Sequence, residues 1–206
     1  YELVPVFPME ESVDLSNNFI SKDNFVGLNT CVDLSSLDIS ANKFDDINLS
    51  NLPRLKSLRS DYNQFTSFDL SSKDSLIVIS FIQNQLKTLN IRNGKNSNLT
   101  YLNVTNNPKL YCVQVDDAFT NGATGWFKDD LPFNIYSTTT CENRTYVPDD
   151  AFEQTLIDLG YDSGPLDNFV LTADIAAVVS INVSGKLIAD LTGIEDFSAL
   201  ENLNCS

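Results

Sequence analysis

The feature that most constrains this chain is a period of about 21 residues in its apolar positions. Steps of 24, 21, 21 and 23 residues connect five sets that carry the same kinds of side chain at the same places. The recurring central positions are Val13, Leu37, Leu58, Ile79 and Leu102, and the recurring asparagines are Asn18, Asn42, Asn63, Asn84 and Asn107. A unit this short cannot bury an apolar face alone, so successive units must stack on one another.

The pattern within one unit predicts two extended segments. Around Leu37 the apolar side chains alternate with polar ones, which indicates a short strand with one buried face. A second apolar triplet, such as Phe65, Phe68 and Leu70, predicts extended structure on the opposite wall. The recurring asparagine follows the first strand, where its amide can donate to and accept from buried backbone groups of the neighbouring turn.

Residues 110–141 interrupt the period. An acidic segment containing Phe119, Trp126 and Phe127 lies there between Cys112 and Cys141. Because a stack of repeats exposes an apolar cross-section at its end, we expect these aromatic side chains to cover it. A Cys112–Cys141 disulfide would hold this cap in place.

A new start follows the cap. Asp150 and Glu153 have the spacing of a capping box, and Phe152, Leu156 and Leu159 form an apolar stripe, so a helix is predicted at about 150–159. Gly160 is typical of a helix end. The repeat spacing then returns in two sets 22 residues apart, Val178, Ile181 and Val183 followed by Leu200, Leu203 and Cys205.

The whole pattern, L-x-x-L-x-L-x-x-N-x-L, resembles the leucine-rich repeat over about residues 10–110 and 175–206. Residues 147–163 resemble the opening segment of secreted and surface leucine-rich repeat proteins of environmental bacteria. Residues 187–200 resemble the internalin type of repeat, and residues 110–117 resemble the closing segment of such proteins. The resemblance implies a leucine-rich repeat solenoid of the α/β class, built mostly of short parallel strands and loops.

The order of these segments predicts two arrays in tandem, because a closing segment precedes an opening one. The expected divisions are an array of about five coils at 1–109, its cap at 110–141, a linker with a helical cap at 142–174, and the start of a second array at 175–206. Since the second array stops inside a repeat, we expect a fragment of a longer protein. The alternative is a chain whose ends stack on neighbouring molecules.

Composition excludes several functions. The chain has no histidine, which removes Ser-His-Asp and Cys-His nucleophile systems and every histidine-based metal site. A net charge of −15 disfavours nucleic acids and anionic membranes, and no apolar run is long enough for membrane insertion. Asp116, Asp117, Asp129 and Asp130 lack the spacing of a calcium loop. We therefore predict no enzyme, no cofactor and no metal.

Cysteine usage favours an oxidising location, because only the Cys112–Cys141 pair has a structural task. Cys205 occupies an inward strand position, which predicts a buried free thiol, and Cys31 is equally compatible with a free thiol. The protein is thus expected to be secreted or displayed at the cell surface.

Outward side chains of the stacked strands predict a binding face. Most are small and polar, as on an ordinary solvated sheet. Val78, Ile82 and Tyr101 depart from that pattern beside Arg59, Asp61 and Asn103, and such mixtures are typical of interface centres. The sequence therefore predicts a recognition module that binds a protein or carbohydrate by its concave face. The alternatives are a spacer in a larger adhesin and an accessory domain of a glycan-processing enzyme.

Overall fold

The computed structural model describes residues 12–25, 27–116, 125–129 and 135–206. The expectations placed on Phe119, Asp117 and Asp130 lie outside these residues. The chain divides into two compact units, and each is described by itself. The first comprises Tyr1–Asp130 and Asn134–Cys141, and the second comprises Leu131–Phe133 and Glu142–Ser206.

The described part of the first unit consists of short strands joined by turns. They are β1 (Ser12–Asp14), β2 (Ser36–Asp38), β3 (Ser57–Arg59), β4 (Ser67–Asp69), β5 (Val78–Ser80), β6 (Thr88–Asn90), β7 (Tyr101–Asn103), β8 (Cys112–Gln114), β9 (Trp126–Phe127) and β10 (Tyr136–Ser137). Three single 3-10 turns lie between them, at Lys22–Asn24, Leu28–Thr30 and Asn96–Asn98. All strand pairs in this unit are parallel, in a six-stranded sheet β1-β2-β3-β5-β7-β9 and a four-stranded sheet β10-β8-β6-β4.

The strand register reproduces the sequence period. Each central residue of the six-stranded sheet pairs with the central residue one repeat later, so the side chains form one buried column. Its members are Val13, Leu37, Leu58, Ile79 and Leu102, exposed by 5% or less. The predicted stacking is therefore confirmed. The second extended segment is also confirmed, because Phe68, Leu89 and Val113 pair in the same way in the four-stranded sheet.

The recurring asparagines join each coil, meaning one repeat of the stack, to the preceding coil. Asn63 Nδ2 donates to the Ile39 carbonyl at 2.9 Å, and its Oδ1 accepts from the Phe44 N–H at 2.9 Å. The side chains of Asn42, Asn84 and Asn107 repeat both contacts with their own preceding coils. The asparagines thereby pair buried backbone N–H and C=O groups at the strand ends. Because such groups need hydrogen-bond partners, asparagine recurs at this position.

The cap differs in part from the expectation. Trp126 is the partner of Leu102 in the register and is half-buried at the end of the column, as a covering side chain should be. Phe127 is 48% exposed and does not cover the core, because the next residue of a strand faces the opposite side of the sheet. The Cys112–Cys141 disulfide is present, with 5.9 Å between the two Cα atoms.

The second unit has two small sheets and two helices among its described residues. Its elements are β11 (Arg144–Tyr146), α1 (Asp150–Asp158), β12 (Phe169–Leu171), α2 (Thr172–Ile175), β13 (Ser180–Asn182), a 3-10 turn (Ile194–Asp196) and β14 (Asn202–Asn204). Strands β11 and β12 are antiparallel, whereas β13 and β14 are parallel and separated by one repeat. Phe152, Leu156, Ile175 and Ile181 belong to its buried core.

Helix α1 forms where the sequence predicts it, but its cap lies one residue earlier. Asp149 is the N-cap residue and accepts from the Phe152 N–H at 2.9 Å. Glu153 is not the second half of a capping box, because its carboxylate is fully buried and accepts from the N–H groups of Asp167 and Asn168. The predicted apolar stripe is also shorter than expected, since Leu159 lies beyond the helix and is 46% exposed.

Cys205 corrects another expectation. Its thiol is free, as is that of Cys31, but Cys205 is exposed rather than buried. The reason is that β14 pairs only with β13 in this sheet, so no further described strand covers the inward positions that follow it. Leu203 in the same strand is 40% exposed for the same reason.

Candidate recognition surface

The outer face of the six-stranded sheet carries the residues that the sequence singles out for binding. We define this face as the side chains that point away from the buried column. In the register, one row contains Ser12, Ser36, Ser57, Val78 and Tyr101. The next row contains Asp14, Asp38, Arg59, Ser80, Asn103 and Phe127. Polar side chains thus occupy the first coils, and larger apolar ones the last.

Three of the predicted residues lie together on the last coils. Val78 pairs directly with Tyr101, and both are half-buried. The Asn103 amide Nδ2 donates to the Tyr101 hydroxyl at 3.1 Å, while its Oδ1 accepts from Thr105. These hydrogen bonds limit the rotation of the Tyr101 ring, so the surface is ordered before any partner arrives.

Phe127, which was expected to cover the end of the stack, completes this cluster. Its ring centroid lies 5.7 Å from that of Tyr101, with 51° between the ring planes. It is the partner of Asn103 in the register. A step of 24 from Leu102 reaches Trp126, the same step that separates Val13 from Leu37, so the period itself contained the signal. We call Val78, Tyr101, Asn103 and Phe127 the aromatic patch.

Asp61, also predicted for binding, makes hydrogen bonds within the fold. Its Oδ1 accepts from the Ser80 hydroxyl at 2.6 Å and from the Ile82 N–H at 2.7 Å. One carboxylate oxygen therefore joins two coils, and Ser80 is fully buried beneath it. Ile82 follows the end of β5 and is half-buried, whereas Arg59 is exposed in the row that ends at Phe127. Arg59 thus lies in β3, the strand that pairs with the strand of Val78, and Asp61 has a structural task.

The acidic residues of the cap also bind backbone groups. Asp129 accepts from the N–H groups of Asn106 and Asn107 at 2.8 and 3.0 Å. Asp116 accepts from the N–H groups of Gly94 and Asn96, both at 2.9 Å. These two carboxylates therefore have structural partners within the fold.

No protein-family model matches the chain. Among solved structures, it is similar to one described as "Functional domain of InlJ from Listeria monocytogenes includes a cysteine ladder", with a TM-score of 0.40 and 22% sequence identity. The match covers 64% of this chain and 31% of that chain, so this chain corresponds to less than a third of the length of InlJ in that structure.

The geometry of the chain itself shows a stacked repeat and bears on membrane crossing. Its strands stack in register at the sequence period, which makes it a repeat protein. Among the described residues, no helix has both the length and the apolar character needed to cross a bilayer.

Proposed function

We propose that this chain is an extracellular or cell-surface recognition module of the leucine-rich repeat type, with internalin-like repeats, which binds a protein partner through the outer face of its six-stranded sheet. The observation that carries the proposal is the aromatic patch on an otherwise small and polar face. Two adjacent aromatic rings and an exposed arginine are residue types that are enriched at interfaces, and here they flank a half-buried valine.

The chemistry of this outer face changes from the last coils to the first. Tyr101 and Phe127 supply rigid apolar area, and Arg59 supplies a directional charged contact. The same rows carry Asp14 and Asp38 on the first coils, so a partner with an apolar centre and a basic flank would match the face. The proposed role is non-catalytic and needs no cofactor, and the Cys112–Cys141 disulfide supports an oxidising location.

A pair of neighbouring substitutions tests the proposal. Tyr101→Ala should weaken binding of a purified partner by at least about tenfold with little change in stability, because Tyr101 faces away from the core. Leu102→Ala should do the reverse and lower the free energy of unfolding by about 2–5 kcal/mol, because Leu102 is fully buried. Ser36→Ala, on the outer face but outside the patch, is the control for binding.

The partner for this titration would first be isolated from extracellular and cell-surface fractions with the immobilised chain and identified by mass spectrometry. Unchanged affinity in both Tyr101→Ala and Phe127→Ala would contradict the proposal. Failure of the folded chain to retain any partner would favour the spacer function, which the polar character of the remaining face supports.

A further inference from the structure

A groove of about 700 Å³ lies on the outside of the four-stranded sheet, on the other wall of the first unit. Residues 46–50 form one side of it, and Phe68, Ser72, Lys73 and the outward side chains of β4, β6 and β8 line the rest. A volume of this size is within the ordinary range for ligand sites. This groove shares no lining residue with the aromatic patch.

The groove exists because one coil of the first unit contributes no strand to the four-stranded sheet. Residue 47 is one repeat before Phe68, yet residues 46–48 form no strand, and β4 is the edge of the sheet. The Phe68 ring is consequently half-buried, whereas Leu89 and Val113 in the same column are fully buried. Contacts with Phe65 and Phe81, at ring-centroid distances of 5.1 and 5.2 Å, fix its orientation.

A buried lysine holds the side of the groove in place. Lys73 is 5% exposed, and its Nζ donates to the carbonyls of Leu49 and Leu52 at 2.6 and 3.3 Å. These two carbonyls belong to the coil that forms the side of the groove. The groove is therefore a preformed feature whose shape does not depend on a ligand.

The outward side chains of the strands offer hydrogen-bonding groups to the groove in two rows. Ser67 and Thr88 are neighbours in one row, and Asp69, Asn90 and Gln114 follow one another in the second. Asp69 and Asn90 each use Oδ1 to accept from a backbone N–H two residues later. Within the described part of the chain, Asp69 Oδ2, Asn90 Nδ2, the Gln114 amide and the two hydroxyls are the groups that remain to meet a ligand, at the strand spacing of about 4.8 Å.

We propose that this groove binds a neutral, linear oligosaccharide. Such a ligand repeats hydroxyl groups that both donate and accept, which matches amide and hydroxyl side chains repeated once per coil. The C–H face of a pyranose ring can pack on the half-buried Phe68. The net charge of −15 disfavours anionic polysaccharides, so the uncharged class fits best.

Native electrophoresis of the full chain in gels containing hydroxyethyl cellulose, galactomannan or pullulan tests the proposal, with dextran sulfate as the anionic comparison. At least one neutral polymer should retard the wild-type chain. The double variant Ser67→Ala/Thr88→Val should raise the dissociation constant by about tenfold, because it removes two hydroxyl contacts. Gln114→Leu is a second groove variant with the same expectation.

Ser36→Ala/Ser57→Ala is the matched control, because these two hydroxyls are also neighbours in paired strands but lie on the other sheet. It should leave retardation unchanged. Absence of retardation by all three neutral polymers, an equal loss in the control, or stronger retardation by dextran sulfate would each overturn the proposal. None of these results bears on the aromatic patch, so the two proposals fail separately.

Discussion

Two fully buried serines in neighbouring coils should respond in opposite ways to the same substitution. Ser60 and Ser80 both have zero exposure. The Ser80 hydroxyl donates to Asp61 Oδ1 at 2.6 Å, whereas the Ser60 hydroxyl has no hydrogen-bond partner in the described structure. Ser60 takes an inward position that Ile39 and Phe81 fill in the adjacent repeats. Its hydroxyl is therefore a polar group in an apolar column.

The magnitudes follow from hydrogen-bond accounting. An unpaired buried polar group destabilises the folded state by about 1–3 kcal/mol. Removing one oxygen leaves a gap of a single atom, which opposes this gain by less than about 0.5 kcal/mol at ~24 cal/mol per Å³. Ser60→Ala should therefore raise the free energy of unfolding by about 1 kcal/mol. Ser80→Ala should lower it by about 1.5–3 kcal/mol, because it removes a hydrogen bond to a carboxylate.

Urea unfolding followed by tryptophan fluorescence measures the stability difference between the two serine variants in the first unit, which contains both serines. The chain has a single tryptophan, Trp126, which lies in the first unit. An unchanged dependence of free energy on urea would show that the midpoint shift reports stability. If Ser60→Ala destabilised the protein by more than about 0.5 kcal/mol under those conditions, the assignment of an unpaired hydroxyl would be refuted.

Three further outcomes are expected. Asn63→Ala should lower the free energy of unfolding by about 2–4 kcal/mol in the same urea assay, because it leaves buried backbone groups of two coils unpaired. Replacing Cys112 and Cys141 by serine should lower it by about 3–4 kcal/mol, given their separation of 29 residues, and an unchanged midpoint would contradict a stabilising bond. Burial raises the pKa values of Glu153 and Asp167, so their contribution to stability is full at low pH and is lost as the pH rises through the folded values. Hydrogen exchange in α1, corrected for the intrinsic rate, should therefore slow as the pH falls from about 7 towards 4.5, the ordinary pKa of glutamate. The Glu153→Gln variant should show less of this slowing, because it lacks the titrating carboxyl group.

The strands β1, β2, β3, β5 and β7, their buried column and the asparagine contacts could be predicted from the chain alone. Each depends on spacing within one repeat and on the identical neighbour one repeat away, so the period specifies both partners. Leu58 stacks on Leu37 because the same residue type recurs 21 positions later, and Ile79 stacks on Leu58 at the same spacing. The Cys112–Cys141 pairing was accessible for a related reason, since the two cysteines flank the segment that breaks the period.

Several features that escaped prediction lie where the repetition ends. Asp149 rather than Asp150 caps α1, because its second oxygen, Oδ2, also accepts from the N–H groups of Ala189 and Asp190, about 40 residues away. Such partners come from parts of the chain that share no spacing rule, so no sequence pattern indicates them.

The candidate sites show the same division. Tyr101 and Val78 could be assigned to the outer face from alternation alone, and whether they bind a partner stays a prediction. Phe127 joined them only when the structure showed that β9 continues the sheet beyond the expected cap. The sequence by itself determined the stacked repeat, because a regular period makes each contact local. Tertiary structure decided how the repeat ends, which polar groups remain unpaired and which side chains meet at its surface, because those depend on neighbours distant in the chain.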